Sequence, residues 1–183
     1  MEEKFAECIP YDNSIKGRIG GNVPGIIEND IPEGYVFYAT IVHPDKEDKM
    51  LSILIYEDFE ILVDKSIYPD IAVRVIEHDY STMSNEQSGI KDLGICSISE
   101  YTTKRMDEEE AILIKCYGAP DLIQGGSFYR EPLEKDNYSF YLMIDEDGYN
   151  TEILGDYVFM YGALYLYKHN ETGKVIAGYW QCS

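Results

Sequence analysis

Positive charge is what this 183-residue chain has least of: 15 lysines and arginines face 34 aspartates and glutamates, a formal net charge of −19. Such a balance repels nucleic acid at long range, and the anionic face of a membrane with it. A basic protein is attracted instead, and its encounter rate rises. Cysteine is scarce and scattered. Cys8, Cys96, Cys116 and Cys182 form no Cys-x-x-Cys pair and have no histidine at ligand spacing, so neither a zinc site nor a disulfide framework is signalled and four free thiols are expected. No apolar run nears the roughly 20 residues of a membrane span. The segment Met1-Glu2-Glu3-Lys4-Phe5-Ala6-Glu7 lacks the basic and apolar regions of a signal peptide, and the expected location is cytoplasmic. Phosphate-loop, dinucleotide and nucleophile-elbow glycine patterns are missing too, and no cofactor is signalled.

What is present is the composition of a folded protein: 45% hydrophobic, 13% aromatic and 27% charged. At this length roughly 70% of the unfolded chain's surface is buried on folding, enough for one domain over 1–183 without staples. Seventeen tyrosines against six phenylalanines suit strands, where a ring covers a half-buried pleat and its hydroxyl stays bonded or wet. Tyr35 to Val42 is an apolar run between Pro32-Glu33-Gly34 and Pro44-Asp45, which predicts a buried strand. Leu51 to Tyr56 and Phe59 to Val63, separated by Glu57-Asp58, read as a hairpin, and Ala72 to Glu77 as a further strand. Residues 1–19 read as a leader of mixed charge. Polar texture from about Asp79 to Asp107 reads as a connection, and Asp107-Glu108-Glu109-Glu110 as a first helical turn or a solvated loop.

One phrase occurs twice, as Tyr35-Val36-Phe37-Tyr38-Ala39-Thr40-Ile41 and as Tyr138-Ser139-Phe140-Tyr141-Leu142-Met143-Ile144. Each copy follows a Gly- and Pro-bearing segment, Gly20 to Glu28 and Gly118 to Gln124. Ala163 to Tyr167 then corresponds to Ser52 to Tyr56, and Val175 to Gln181 to Val73 to Glu77. Two copies are too few for a solenoid. The expected fold is therefore mostly β with a few short helices, an internal duplication giving a pseudo-twofold single domain. Repeat 1 covers about 18–80, the connection about 81–110 and repeat 2 about 111–183.

From about Arg18 to Gln181 these segments resemble the YwqG-like family, bacterial cytoplasmic proteins built on an internal duplication. The resemblance is carried by Gly118-Ala119-Pro120-Asp121-Leu122-Ile123-Gln124, Leu142-Met143-Ile144-Asp145, Gly155-Asp156 and Trp180-Gln181-Cys182. In the first half it is carried by Ile19-Gly20-Gly21 with Pro24, Phe37 to Ile41, and Arg74-Val75-Ile76. Thr40 and Met143 stand where the family carries glutamine, Leu154 where it carries tryptophan, and Tyr157 to Tyr161 is inserted before Gly162. The resemblance implies a fold and a duplication and supplies no activity.

Chemistry-bearing patterns are weak. Gly20 to Gly25 reads as a turn and not an anion nest, and in Asp145-Glu146-Asp147-Gly148 the glycine falls too early for a calcium loop, leaving a solvated hairpin tip. His43, His78 and His169 are isolated, and His78-Asp79 with Ser81 has triad residue types without an elbow. The candidate binding residues are Glu28, Asp121, Gln124, Asp145 and Asp156, near strand ends or at corresponding places of the two halves. As turn locks they are explained structurally, and as ligands they imply a site at the seam between repeats. No catalytic or metal-binding set emerges, which weighs against an enzyme. The favoured reading is an acidic cytoplasmic binding protein, in its most concrete form an immunity-type protein engaging a basic protein or toxin. The alternative is a small-molecule or cation-binding protein, an enzyme included, with its site at that seam.

Overall fold

The computed structural model describes residues 1–104 and 111–183; the Asp107 to Glu110 tetrad lies outside them. Strands β1 (Lys4–Ala6), β2 (Cys8–Pro10), β3 (Arg18–Ile19), β4 (Tyr35–His43) and β5 (Lys46–Tyr56) are followed by helix α1 (Phe59–Asp64), β6 (Val73–Asp79) and β7 (Cys96–Ile98). Then come β8 (Ile114–Cys116), α2 (Glu131–Lys135), β9 (Tyr138–Asp145), α3 (Thr151–Leu154), β10 (Ala163–His169) and β11 (Val175–Gln181). They form a mixed single domain of two sheets with few short helices: a six-stranded sheet ordered β2-β7-β3-β4-β5-β6 and a five-stranded sheet ordered β1-β8-β9-β10-β11.

Alternation along the strands sorts side chains to two faces. Inward, Ala39, Ile41, Leu51 and Ile53 of one sheet meet Leu142, Ile144, Leu164, Leu166 and Trp180 of the other. Complete burial of each such aliphatic chain stabilises the fold by roughly 1.5–3 kcal/mol. Each sheet also has a covered outer face. Val23 and Ile27, the latter on the 3₁₀ turn Gly25–Asp30, lie on Phe37 and Leu54. Across the molecule Tyr129, on the 3₁₀ turn Ser127–Tyr129, and Leu133 of α2 lie on Met143, Tyr165, Tyr167 and Tyr179. Both aromatic-phrase strands carry a bulge at the second tyrosine of the phrase. Tyr38 is skipped between the pairs Phe37–Leu54 and Ala39–Ile53, and Tyr141 between Phe140–Tyr167 and Leu142–Leu166. Matching Ser52–Tyr56 to Ala163–Tyr167 is thus out of step, since Leu54 and Tyr167 are the residues that stand opposite the phenylalanines.

Three expectations are corrected. Phe59 to Val63 is helix and not the second arm of a hairpin, because the Asp58 carboxylate accepts from the Glu60 and Ile61 amides and nucleates a turn. The leader is a bent strand: β1 pairs with β8 and β2 with β7, so residues 4–10 stitch one sheet to the other. Within the connection, β7 inserts between β2 and β3, and Phe5 exchanges both backbone bonds with Thr102. Among the described residues no helix is long and apolar enough to cross a membrane.

Candidate functional site

Two of the five proposed residues come together. Asp121 and Asp145 line a cavity of about 360 Å³ on the five-stranded sheet with Glu3, Asp147 and Lys115. The loop after β8 crosses the outer face, where the Tyr165 hydroxyl donates to the Asp121 carbonyl at 2.8 Å, and Lys115 Nζ reaches the Asp121 carboxylate at 3.0 Å. Asp145 ends β9 and accepts from the Asp147 amide at 3.0 Å. Burial holds its carboxyl above the ordinary value, and although that amide works the other way, the charges of Asp147 and Asp121 add to the rise. Adjoining this cavity, Glu7, Asp147 and Glu152 border another of about 530 Å³, so the negative surface continues.

The other three do not line this cavity, and the five do not gather at one seam between the two halves of the chain. Gln124 is a tie: its amide donates to Gln181 Oε1 at 3.0 Å, its side chain donates to the Cys182 carbonyl and accepts from the Tyr129 hydroxyl, each at 2.9 Å. Glu28, on the 3₁₀ turn over the opposite outer face, accepts from Ser84 Oγ at 2.6 Å. Asp156 is exposed and accepts from the Tyr157 amide next to it. The reason is topological. Glu28 and Gln124 lead into segments that cover opposite faces, and a sandwich keeps those faces apart.

The polar contacts that do bridge the sheets come from residues with no local signature. At one end the turn from β4 to β5 presents Asp45, which accepts from Lys168 Nζ at 2.6 Å, from the Tyr141 hydroxyl at 3.0 Å and from the Tyr117 hydroxyl. Burial opposes ionisation there, but the ammonium and the two hydroxyls outweigh it and bring the Asp45 carboxyl down to about 2. His43 lies beneath at 1% exposure; its Nδ1 accepts from the Asp45 amide at 3.1 Å, which leaves the proton on Nε2, 3.7 Å from Glu77. Burial lowers the pKa of this imidazole, with the nearby Lys46 and Lys168 acting the same way and Glu77 and Asp45 opposing. Toward the opposite end, the hydroxyls of Tyr38 and Tyr149 bond each other across the interior.

Glu146, expected at a solvated tip, is fully buried. Its Oε1 accepts from the Phe159 amide at 2.7 Å and its Oε2 from the Gly162 amide at 3.1 Å, which fixes the 157–161 loop. Burial pushes its carboxyl up to about 7 against those amides. In the same loop Met160 and Tyr161 take φ of 58° and 59°, consecutive left-handed residues that are not glycine, each costing roughly 1–2 kcal/mol.

Chemically these groups bind and position more readily than they react. Ser52 Oγ lies 2.7 Å from His78 Nε2, and His78 Nδ1 meets the Asp79 carbonyl at 2.6 Å, the outline of a nucleophile with its base. Ser52 is fully buried, however, and a nucleophile needs an approach for its substrate. The carboxylate of Asp45 is spent on a lysine and two tyrosines. Among the described residues no group of three or more histidine, cysteine or acidic side chains is placed to hold a metal ion. Compared with protein-family models, curated proteins and solved structures, the chain matches none.

Proposed function

We propose that the protein is a non-enzymatic binding protein whose acidic exterior engages a basic protein, most concretely as an immunity-type protein that masks a toxin in the cytoplasm. One observation carries this: four carboxylates, those of Glu3, Asp121, Asp145 and Asp147, share a concave site with a single ammonium on a chain of net charge −19. Concavity adds their potentials, and a cation entering there relieves the repulsion that raises the Asp145 pKa. Full-length protein titrated with poly-L-lysine at low and at high salt tests it. Affinity should fall steeply as salt screens the exposed charges and should weaken in the D121N/D145N variant. Salt-independent binding would remove the electrostatic rationale.

A second reading, a small-molecule or cation site at the same cavity, is favoured by the convergence of Asp121 and Asp145 alone. In that case D145A would abolish a ligand-induced melting shift while the fold stays intact.

We further infer that the two sheets descend from one doubled unit, as the YwqG-like resemblance implies. Residues 18–80 supply β3 to β6 in that spatial order, and residues 111–183 supply β8 to β11 likewise. The bulges at Tyr38 and Tyr141, and the short helices covering the outer face behind each, support the same descent.

A further inference from the structure

Resting on that reading of a basic protein partner, we propose that its docking face is the end of the sandwich where α1 and the 157–161 loop meet Trp180, and that this face takes an arginine-rich segment. Both pieces brace on the same indole. Its Nε1 donates to the Leu62 carbonyl of α1 at 3.1 Å, and its ring lies 5.6 Å from that of Phe159. From this support Phe59 is 50% exposed, Met160 44% and Tyr161 58%. Isolated exposed apolar residues need no explanation, but these are presented by a built device.

Tyr161 stacks on Tyr157 with centroids 4.0 Å apart at 28°, and Tyr157 stacks on buried Tyr149 at 5.7 Å and 17°. Such a column is stiff, and little entropy is lost when a partner covers its outer ring. The backbone beneath it is held left-handed at Met160 and Tyr161 by the buried Glu146 carboxylate, where glycines would adopt the same path freely. Strain retained at large exposed side chains points to a use for those side chains.

Charge selects the occupant. Glu60 and Asp64 are exposed on α1 and Asp156 is exposed just before Tyr157, and Lys65, next along the chain from α1, is already paired with Asp70 at 3.4 Å. A cation that also stacks its plane on an aromatic face fits better than a spherical ammonium, which favours arginine over lysine.

Calorimetric titration of the full chain at low salt with an arginine-glycine repeat peptide, and with its lysine-glycine counterpart, tests the proposal. The arginine peptide should bind about fivefold tighter, the size of one such stacked contact. Tyr161→Gly removes the ring while relieving the left-handed strain, so melting should be unchanged or raised while the arginine preference disappears. D121N/D145N, which leaves the Tyr149–Tyr157–Tyr161 column intact, should weaken both peptides alike and keep their ratio. Equal affinity for the two peptides, or a preference that survives in Tyr161→Gly, would overturn this face as the docking site. Binding of neither peptide at low salt would instead overturn the basic-partner reading itself.

Discussion

Glu146 should make the protein less stable as pH rises toward neutrality, against the usual behaviour of a carboxylate held in an ion pair. In the unfolded chain its carboxyl releases its proton near 4.5, whereas burial in the folded state retains it to about 7. Between those values the native state binds more protons, so unfolding free energy falls with pH across that window and levels off above it. The span of 4.5 to 7 corresponds to about 3 kcal/mol at 1.36 kcal/mol per unit. Other carboxylates and the growing net charge contribute their own slopes, so the comparison must be with E146Q, which keeps the shape and cannot ionise. That variant has a pH-independent cost, roughly 1–3 kcal/mol, because its amide group meets the Phe159 or Gly162 N–H where an acceptor is wanted. Denaturant unfolding of both proteins from pH 4.5 to 8 should therefore show the wild-type advantage shrinking by about 3 kcal/mol. A difference that stays constant within about 0.5 kcal/mol would refute the reasoning. It would mean that the two backbone donors keep this carboxylate ionised in spite of its burial.

Asp45 works with the opposite sign. Its folded-state carboxyl is depressed from 3.8 to about 2, so its contribution is complete above 3.8 and is lost as pH falls toward 2. Because the pair with Lys168 is partly exposed, a D45N/K168M double-mutant cycle at pH 7 should give a coupling of only roughly 0.5–1 kcal/mol, decaying at acid pH. Gly94→Ala would set a Cβ 1.9 Å from the Ile153 carbonyl oxygen; a loss of about 3 kcal/mol by thermal unfolding is expected, and a melting point equal to wild type would discount that contact. A thiol reagent at pH 7.5 should modify Cys8 before Cys96 and Cys116, since the neighbouring Cys96 thiol draws the Cys8 pKa down, and should leave Cys116 untouched until unfolding, since burial pushes it up to about 12. Rapid labelling of Cys116 in the native protein would contradict the packing around β8.

The strands around the repeated aromatic phrase were legible because their signals are local: apolar runs of strand length, bounded by proline and glycine. Helix α1 is hidden in the sequence because Phe59-Glu60-Ile61-Leu62-Val63 has strand composition. The decisive residue was Asp58, whose side chain offers the free amides of a first turn their acceptor. Strands β1, β2 and β7 are three residues each and exist through pairing with segments far along the chain, so no window of sequence contains their cause. The candidate site divides the same way. Asp121 and Asp145 were visible as acids near turns, and their convergence follows from where the loop after β8 crosses the sheet. Asp45 looked like an ordinary turn residue after Pro44, because Tyr117, Tyr141 and Lys168 approach it only once the sheets have met. Nothing local in Asp145-Glu146-Asp147-Gly148 sets Glu146 apart from a wet tip, since its burial is imposed by a loop that follows later in the chain.

These placements divide the sandwich into two unlike ends. At one, Asp45 gathers an ammonium and two hydroxyls from the opposite sheet over a buried neutral histidine, so the sheets are tied where they could otherwise slide. Ties of that kind fix geometry, and here they do so while leaving His43 Nε2 buried without a hydrogen-bond partner. At the other end the hydroxyl pair of Tyr38 and Tyr149 closes the interior, and the chain beyond it spends backbone strain and a buried carboxylate on holding Met160 and Tyr161 outward. Stability alone favours neither the strain nor the exposure. The tied end supplies the rigidity that the strained end needs if its aromatic column is to meet a partner without first being ordered, which is where recognition saves most of its entropy cost.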